Sequence, residues 1–296
     1  MRIGLMKTVL NFFVVFFLAV FPSIAPADDD NSLIKTVERI ADELGARVGF
    51  SAYDVESDQH WEYHADQRFA MSSTFKTLAC AALLQRVDAG QENLDRKVSF
   101  SESDLVTYSP VTEKYAGGQA LGLSDLCEAA LTMSDNTAAN LILRVLGGPA
   151  QVTSFARGLG DGVTRLDRWE TELNEAAPGD QRDTTTPNAM VKNLQSLLLG
   201  DALSVKSRDQ LRDWLERNQV ADGLFRAVVP EGWIVADRTG AGGFGSRSIT
   251  AIIWPPERQP IIVALYLTET EASFSKRNDA IAEIGRALIL TVNLGR

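Results

Sequence analysis

The sequence predicts an α/β fold in which one layer is assembled from both ends of the chain and an all-helical domain is inserted between them. Three patterns carry that expectation. Short β-rich runs bounded by turn residues occur at 48–55 and 61–63, and again at 233–237, 248–254 and 261–267. Between the two groups, apolar residues recur almost throughout at helical spacing. The chain has 296 residues, 45% of them hydrophobic and 23% charged, which is enough to bury a substantial core.

The elements follow in order. Leu33, Ile34, Val37, Ile40, Ala41 and Leu44 give 32–44 a helical period that Gly45 stops. The runs 48–55 and 61–63 read as paired strands around the turn Glu56-Ser57-Asp58. A helical pattern returns at 74–87 and ends at Gly90. Further helices are expected at 123–131, 136–146 and 150–156, where Gly147-Gly148-Pro149 supplies a stop followed by a proline restart. Residues 159–186 show no sustained period and carry many charges; a loop that long in a compact chain is usually functional. Helical spacing resumes at 187–199 and 207–217, and again at 280–292 after the last strands. The expected division is 28–66 with 218–296 in the α/β part and 67–217 in the helical part, with an active-site loop at about 165–183.

The first 27 residues differ from the rest. Arg2 and Lys7 precede an apolar run from Val9 to Val20, and Ala25-Pro26-Ala27 gives the small residues a signal peptidase needs. The segment reads as a secretory signal cleaved near Ala27, which implies a periplasmic or secreted protein. An uncleaved anchor is the alternative, although the run is short for a span. Removing Arg2 and Lys7, with no acid lost, leaves 27 basic against 39 acidic residues, a net charge of −12. So acidic a chain is a poor partner for nucleic acid or an anionic membrane surface. Cys80 and Cys127 are the only cysteines, and in an exported chain two cysteines favour one disulfide over two buried thiols.

Four short motifs carry chemistry. In Ser73-Thr74-Phe75-Lys76, a helix opening at Ser73 puts Lys76 one turn later on the same face, within reach of the hydroxyl it would activate. Ser134-Asp135-Asn136 places a hydroxyl and an amide just before a helix; a simple cap gives the same pattern. Arg238-Thr239-Gly240 closes the strand 233–237, with donors for a carboxylate beside a backbone that glycine leaves open. Glu170 and Asn174 could jointly hold a water; plain solvation is the bland alternative. Each motif is weak alone, but the four together, in this order, are the known signature of class A serine β-lactamases.

The chain resembles that family over essentially its whole mature length, including Tyr108-Ser109-Pro110-Val111-Thr112 and Arg182-Asp183-Thr184-Thr185. The resemblance implies a serine β-lactamase/D,D-peptidase-like fold of α+β type, an antiparallel sheet flanked by helices plus an all-helical domain. It implies hydrolysis of penicillins, and resistance to them, by a monomer that needs no cofactor and no metal. Ser73 would be the nucleophile and Lys76 its proton partner, with the N–H groups of Ser73 and Ala241 as the oxyanion hole. Ser134 would protonate the departing nitrogen, Asn136 would bind the side-chain amide, and Glu170 with Asn174 would position the deacylating water. Either Lys76 or Glu170 would take the proton from Ser73. Arg238, Thr239, Gly240 and Arg247 would hold the substrate carboxylate, with Tyr108 at the entrance. Arg168 and Asp183 would close the long loop, and Cys80–Cys127 would be the family's disulfide.

The departures are informative. Most members carry lysine where this chain has Arg238, and Arg-Thr-Gly is similar to the carbenicillin-hydrolysing subgroup, so tolerance of an extra side-chain carboxylate is expected. Thr171 stands where many relatives have a proline in a cis bond; a cis bond is expected here too. Ser72 and Gly242 occupy the cysteine positions of disulfide-bearing carbapenemases, so carbapenem hydrolysis is not expected. His60 and His64 lie on a strand-like stretch without further ligands and read as surface residues. A D,D-peptidase would share the first two motifs but lack the loop glutamate. A β-lactam sensor would need membrane segments and an output domain.

Overall fold

The computed structural model describes Met1 and residues 29–294; the expected signal segment lies outside the described residues. Helix α1 (Asp29–Leu44) leads into the hairpin β1 (Arg47–Asp54) and β2 (Gln59–Tyr63). A short β3 (Phe69–Ala70) and a 3₁₀ turn (Ser72–Thr74) precede α2 (Phe75–Asp88). The pair β4 (Lys97–Val98) and β5 (Leu121–Gly122) is followed by α3 (Leu123–Thr132), α4 (Asn136–Leu146) and α5 (Pro149–Gly158). Then come β6 (Thr184–Thr185), α6 (Pro187–Leu198) and α7 (Val205–Glu216). The chain closes with β7 (Ile234–Ala241), β8 (Arg247–Trp254), β9 (Ile261–Thr268) and α8 (Phe274–Leu294).

The main sheet has five strands in the order β2-β1-β9-β8-β7, antiparallel throughout, so N-terminal strands pair directly with C-terminal ones. Side chains on successive strand residues point to opposite faces. On β9, Ile261, Val263, Leu265 and Leu267 join Leu33, Val37 and Ile40 of α1 and Ile281, Ile284 and Leu288 of α8 in one apolar cluster. The alternate residues Ile262, Ala264 and Tyr266 join Leu194 and Leu197 of α6 and Trp214 of α7 in the other. The sheet is thus a shared wall between a helix pair and the helical block. This is the α+β arrangement of an antiparallel sheet flanked by helices.

Three details differ from the sequence expectation. First, β7 does not stop at Asp237 but runs through Arg238, Thr239 and Gly240 to Ala241, pairing Arg238 with Thr250 and Ala241 with Arg247. The motif is therefore inside the edge strand, not beyond its end. Second, α8 begins six residues before 280; Ser273 caps it through the Lys276 N–H, and the polar turn Ser275-Lys276-Arg277 hides the start of the apolar period. Third, the β3–β6 and β4–β5 ladders, two residues each, were too short to leave a pattern. At 147–148 the stop is as expected: Gly147 (φ 100°) and Gly148 (φ 105°) take positive φ, and both N–H groups return to Leu143 O.

Candidate active site

Ser73 lies in the 3₁₀ turn that feeds α2, with its hydroxyl accepting a hydrogen bond from Ser134 Oγ at 3.1 Å. The turn packs against β7 at Gly240. A Cβ there would stand 2.6 Å from Ser248 Oγ and 2.9 Å from Met71 O, so a side chain would push the strand off the nucleophile. A cavity of about 320 Å³ opens over Ser73. Among the residues expected in the site, Tyr108, Ser134, Asn136, Asn174, Thr239, Gly240, Ala241 and Arg247 line it with Ser73. Lys76, Glu170 and Arg238 lie buried beneath that lining.

Lys76 projects from the first turn of α2 and has no solvent exposure. Its ammonium donates to Asn136 Oδ1 (2.6 Å), Ser134 O (2.9 Å) and Ser134 Oγ (3.4 Å), and lies 3.0 Å from Glu170 Oε1. Burial lowers its pKa to about 8, against the opposing pull of Glu170. Among the described residues no hydrogen bond joins Lys76 directly to Ser73, and Ser134 bridges the two. Arg238 Nη2 also donates to Ser134 Oγ. With Arg238 donating to that oxygen, the Ser134 hydroxyl proton is directed at Ser73.

Asp135 shows why the middle motif is both a cap and a site. Its fully buried carboxylate caps α4 through the Ala138 N–H (2.8 Å). It also accepts from the N–H groups of Val111 and Thr112 and from Thr112 Oγ1. It thereby fixes the loop that carries Tyr108, a residue 54% exposed at the cavity mouth. Asn136 spends one amide proton on Thr107 O (2.8 Å) and retains the other.

Glu170 is held by its backbone as well as its carboxylate. Asn140 donates to Glu170 O (2.8 Å) and accepts from its N–H (2.9 Å), while Asn174 Nδ2 donates to Oε2 at 2.5 Å. The Glu170–Thr171 bond is cis, as expected. The loop closes on Asp183, which is buried and accepts the N–H groups of Asp167 and Arg168 and the Arg168 Nε (2.5 Å). A larger cavity of about 430 Å³ lies along this loop, away from Ser73. Its Arg47, Arg168 and Arg182 are engaged by Glu269, Asp183 and Asp180, and it holds none of the residues around Ser73.

On the β7 side, Arg247 donates to Gly240 O (3.0 Å) and Asn278 Oδ1 (2.8 Å). Burial, reinforced by Arg277, lowers its pKa to about 10, and burial likewise brings Arg238 to about 10. Both remain cations at neutral pH. The Nε and Nη1 of Arg238 are buried and find no partner among the described residues. Cys80 of α2 and Cys127 of α3 form a disulfide with the Cα atoms 5.8 Å apart. His60 stacks on Tyr53, and His64 Nδ1 meets Val48 O at 3.1 Å. Among the described residues no group of three or more His, Cys, Asp and Glu side chains is placed to hold a metal ion.

Sequence reasoning missed Asn140, Asn278, Val220 and Phe274, the last two of which line the cavity. Asn140 was within reach: it stands four residues after Asn136 and so shares its face of α4.

Residues 32–292 match the model of the "Beta-lactamase enzyme family". The β-lactamase CARB-4 of Pseudomonas aeruginosa is 53% identical over 245 residues, covering 83% of this chain and 85% of that one. An ancestral (GNCA) class A β-lactamase superposes with a TM-score of 0.86 at 52% identity, covering 87% of this chain and 99% of that one. The chromosome-encoded β-lactamase of Vibrio parahaemolyticus gives 0.85 at 48%, covering 88% and 98%.

Proposed function

The chain belongs to the β-lactamase enzyme family and is a hydrolase of class A type, and from that premise we propose how its residues open a penicillin. Ser73 Oγ attacks the β-lactam carbonyl carbon while its proton passes into the Lys76–Glu170 pair. The N–H groups of Ser73 and Ala241 hold the oxyanion. As the ring C–N bond breaks, Ser134 delivers a proton to the nitrogen, leaving an ester on Ser73. Glu170, steadied by Asn174, then takes a proton from water; the water oxygen attacks the ester carbonyl and Ser73 regains its hydrogen.

The observation that carries this reading is the buried Lys76–Glu170 contact of 3.0 Å together with the Ser134–Ser73 hydrogen bond, Ser134 linking the nucleophile to that pair. Asn136 binds the substrate's side-chain amide through its remaining amide proton. Arg238, Thr239, Gly240 and Arg247 receive the carboxylate, with Tyr108 at the mouth. The substrates include carboxypenicillins, through Arg238, and exclude carbapenems. Arg168 with Asp183, and Cys80 with Cys127, serve structure. Two domains, 28–66 with 218–296 and 67–217, meet at the site; the apolar cluster around α1 and α8 draws only on the first, which supports the assignment.

Following cleavage near Ala27 the enzyme acts in the periplasm or outside the cell, as a monomer on a small-molecule substrate, with neither nucleic acid nor membrane as partner. No described helix is long and apolar enough to cross a membrane. Turnover of a chromogenic β-lactam tests the reaction against the D,D-peptidase and sensor alternatives: many equivalents hydrolysed per protein support it, and a single equivalent consumed refutes it.

A further inference from the structure

Phe274 is the first residue of α8, 50% exposed, and lines the same cavity as Ser73 and Thr239. Two cations converge on its ring. The Arg247 guanidinium carbon lies 4.9 Å from the ring centroid and that of Arg277 lies 5.4 Å away. Both arginines hydrogen-bond only to neutral oxygens: Arg247 to Gly240 O and Asn278 Oδ1, Arg277 to Ser246 O and Ser273 O. Among the described residues neither makes an ion pair. The first turn of α8 contains no acidic residue, although a helix N-terminus favours one. This corner of the cavity is thus positive, with an aromatic ring as the group that meets both charges.

Phe274 is half exposed at a polar helix start. Its ring does two things at once: it covers the Arg247 guanidinium and presents apolar surface to whatever enters beside it. We propose that Phe274 is a specificity-determining residue of the cavity, its ring fixing Arg247 in place and its exposed surface meeting the apolar group that flanks the substrate carboxylate. This rests on the reading of Arg247 as a carboxylate-binding residue. In a penicillin the flanking group is the geminal dimethyl carbon; in a cephalosporin it is the substituent on the ring carbon next to the one bearing the carboxylate, which can be made small or large.

The test compares Phe274→Ala, Phe274→Trp and Arg247→Ala on benzylpenicillin and on two cephalosporins bearing a methyl or an aromatic group at that carbon. Phe274→Ala is expected to raise KM for benzylpenicillin about three- to tenfold with kcat changed less than about twofold, the size of a lost cation–π contact. The aromatic cephalosporin should lose about threefold more in kcat/KM than the methyl one, and Phe274→Trp should restore both. A merely structural ring would instead lower the melting temperature and kcat together, without separating the two cephalosporins. Equal losses on the two cephalosporins, or an unchanged KM for Phe274→Ala while Arg247→Ala raises it, would overturn the assignment of Phe274 alone. An unchanged KM for Arg247→Ala would remove the carboxylate reading and this inference with it.

Discussion

The ammonium of Lys76 and the carboxylate of Glu170 face each other at 3.0 Å with neither side chain open to solvent. Glu170 also receives Asn174 on its other oxygen, so its orientation is fixed from two sides. Replacing it by alanine takes away the base proposed for deacylation, a loss of about 10²–10⁴-fold in turnover by the usual worth of a positioned base. Without Glu170 to hold its charge, the buried Lys76 is more readily neutral and can accept the Ser73 proton, so acylation should persist and a covalent adduct should accumulate. Steady-state penicillin hydrolysis together with intact-protein mass spectrometry checks both halves; undiminished turnover without an adduct would sink the proposed route.

Lys76 has a second consequence. Its contacts to Asn136 Oδ1, Ser134 O and Glu170 Oε1 are all acceptors, which suits an ammonium with three donors and would leave a neutral amine with its lone pair against an oxygen. With burial holding its pKa near 8, kcat/KM is expected to fall as pH rises through that value. Stability moves the other way. The folded pKa of about 8 is below the ordinary 10.5, so between those values the unfolded chain binds the proton that the folded chain has lost. The burial penalty on this group therefore applies in full below pH 8 and is relieved as pH rises through the window. An alkaline limb in the pH–rate profile with the fold retained, followed by circular dichroism, is the expected result. A flat profile from pH 7 to 9.5 would contradict it.

The disulfide joins α2, which begins just after Ser73, to α3, and both cysteines are fully buried. The bridge spans 47 positions, and the loop-closure model assigns such a link roughly 4 kcal/mol. The double variant Cys80→Ala, Cys127→Ala should therefore unfold at clearly lower denaturant while keeping kcat/KM within about twofold, because the Ser73 turn is seated on β7, not on the bridge. Denaturant melts and initial rates on the same preparations decide it.

These residues were legible in the sequence for different reasons. Ser73 and Lys76 are three apart across the junction of the 3₁₀ turn and α2, so their placement at one site is local and could be read directly, although the hydrogen-bonded link between them runs through Ser134. Ser134, Glu170 and Arg238 reach Ser73 only through the tertiary fold; they were found because each sits in a short motif whose joint occurrence is informative. Asn278 and Phe274 have no such motif. They matter because α8 packs back beside the end of β8, a relationship of 31 residues' separation between Arg247 and Asn278 that no local pattern records. The extent of β7 was misjudged for a related reason: Arg238 looks like a surface residue after a strand, yet it is buried on the same face as Ala236, which packs into the core of the helical block.

Arg238 itself gives the last prediction. The side chain is fully buried, donates from Nη2 to Ser134 Oγ, and leaves Nε and Nη1 without a partner among the described residues. A buried donor without an acceptor costs about 1–3 kcal/mol, which a bound carboxylate can recover. Lysine would supply the charge but only one nitrogen, and could not keep its contact with Ser134 while also offering a planar fork to substrate. If the extra acceptors of a carboxypenicillin draw on those spare donors, Arg238→Lys should lower the ratio of kcat/KM for carbenicillin over benzylpenicillin by about three- to tenfold, or roughly one lost hydrogen bond. Hydrolysis of benzylpenicillin itself should fall less. A ratio that stays constant in Arg238→Lys would detach the substrate preference from residue 238 and leave the buried guanidinium with a role confined to Ser134.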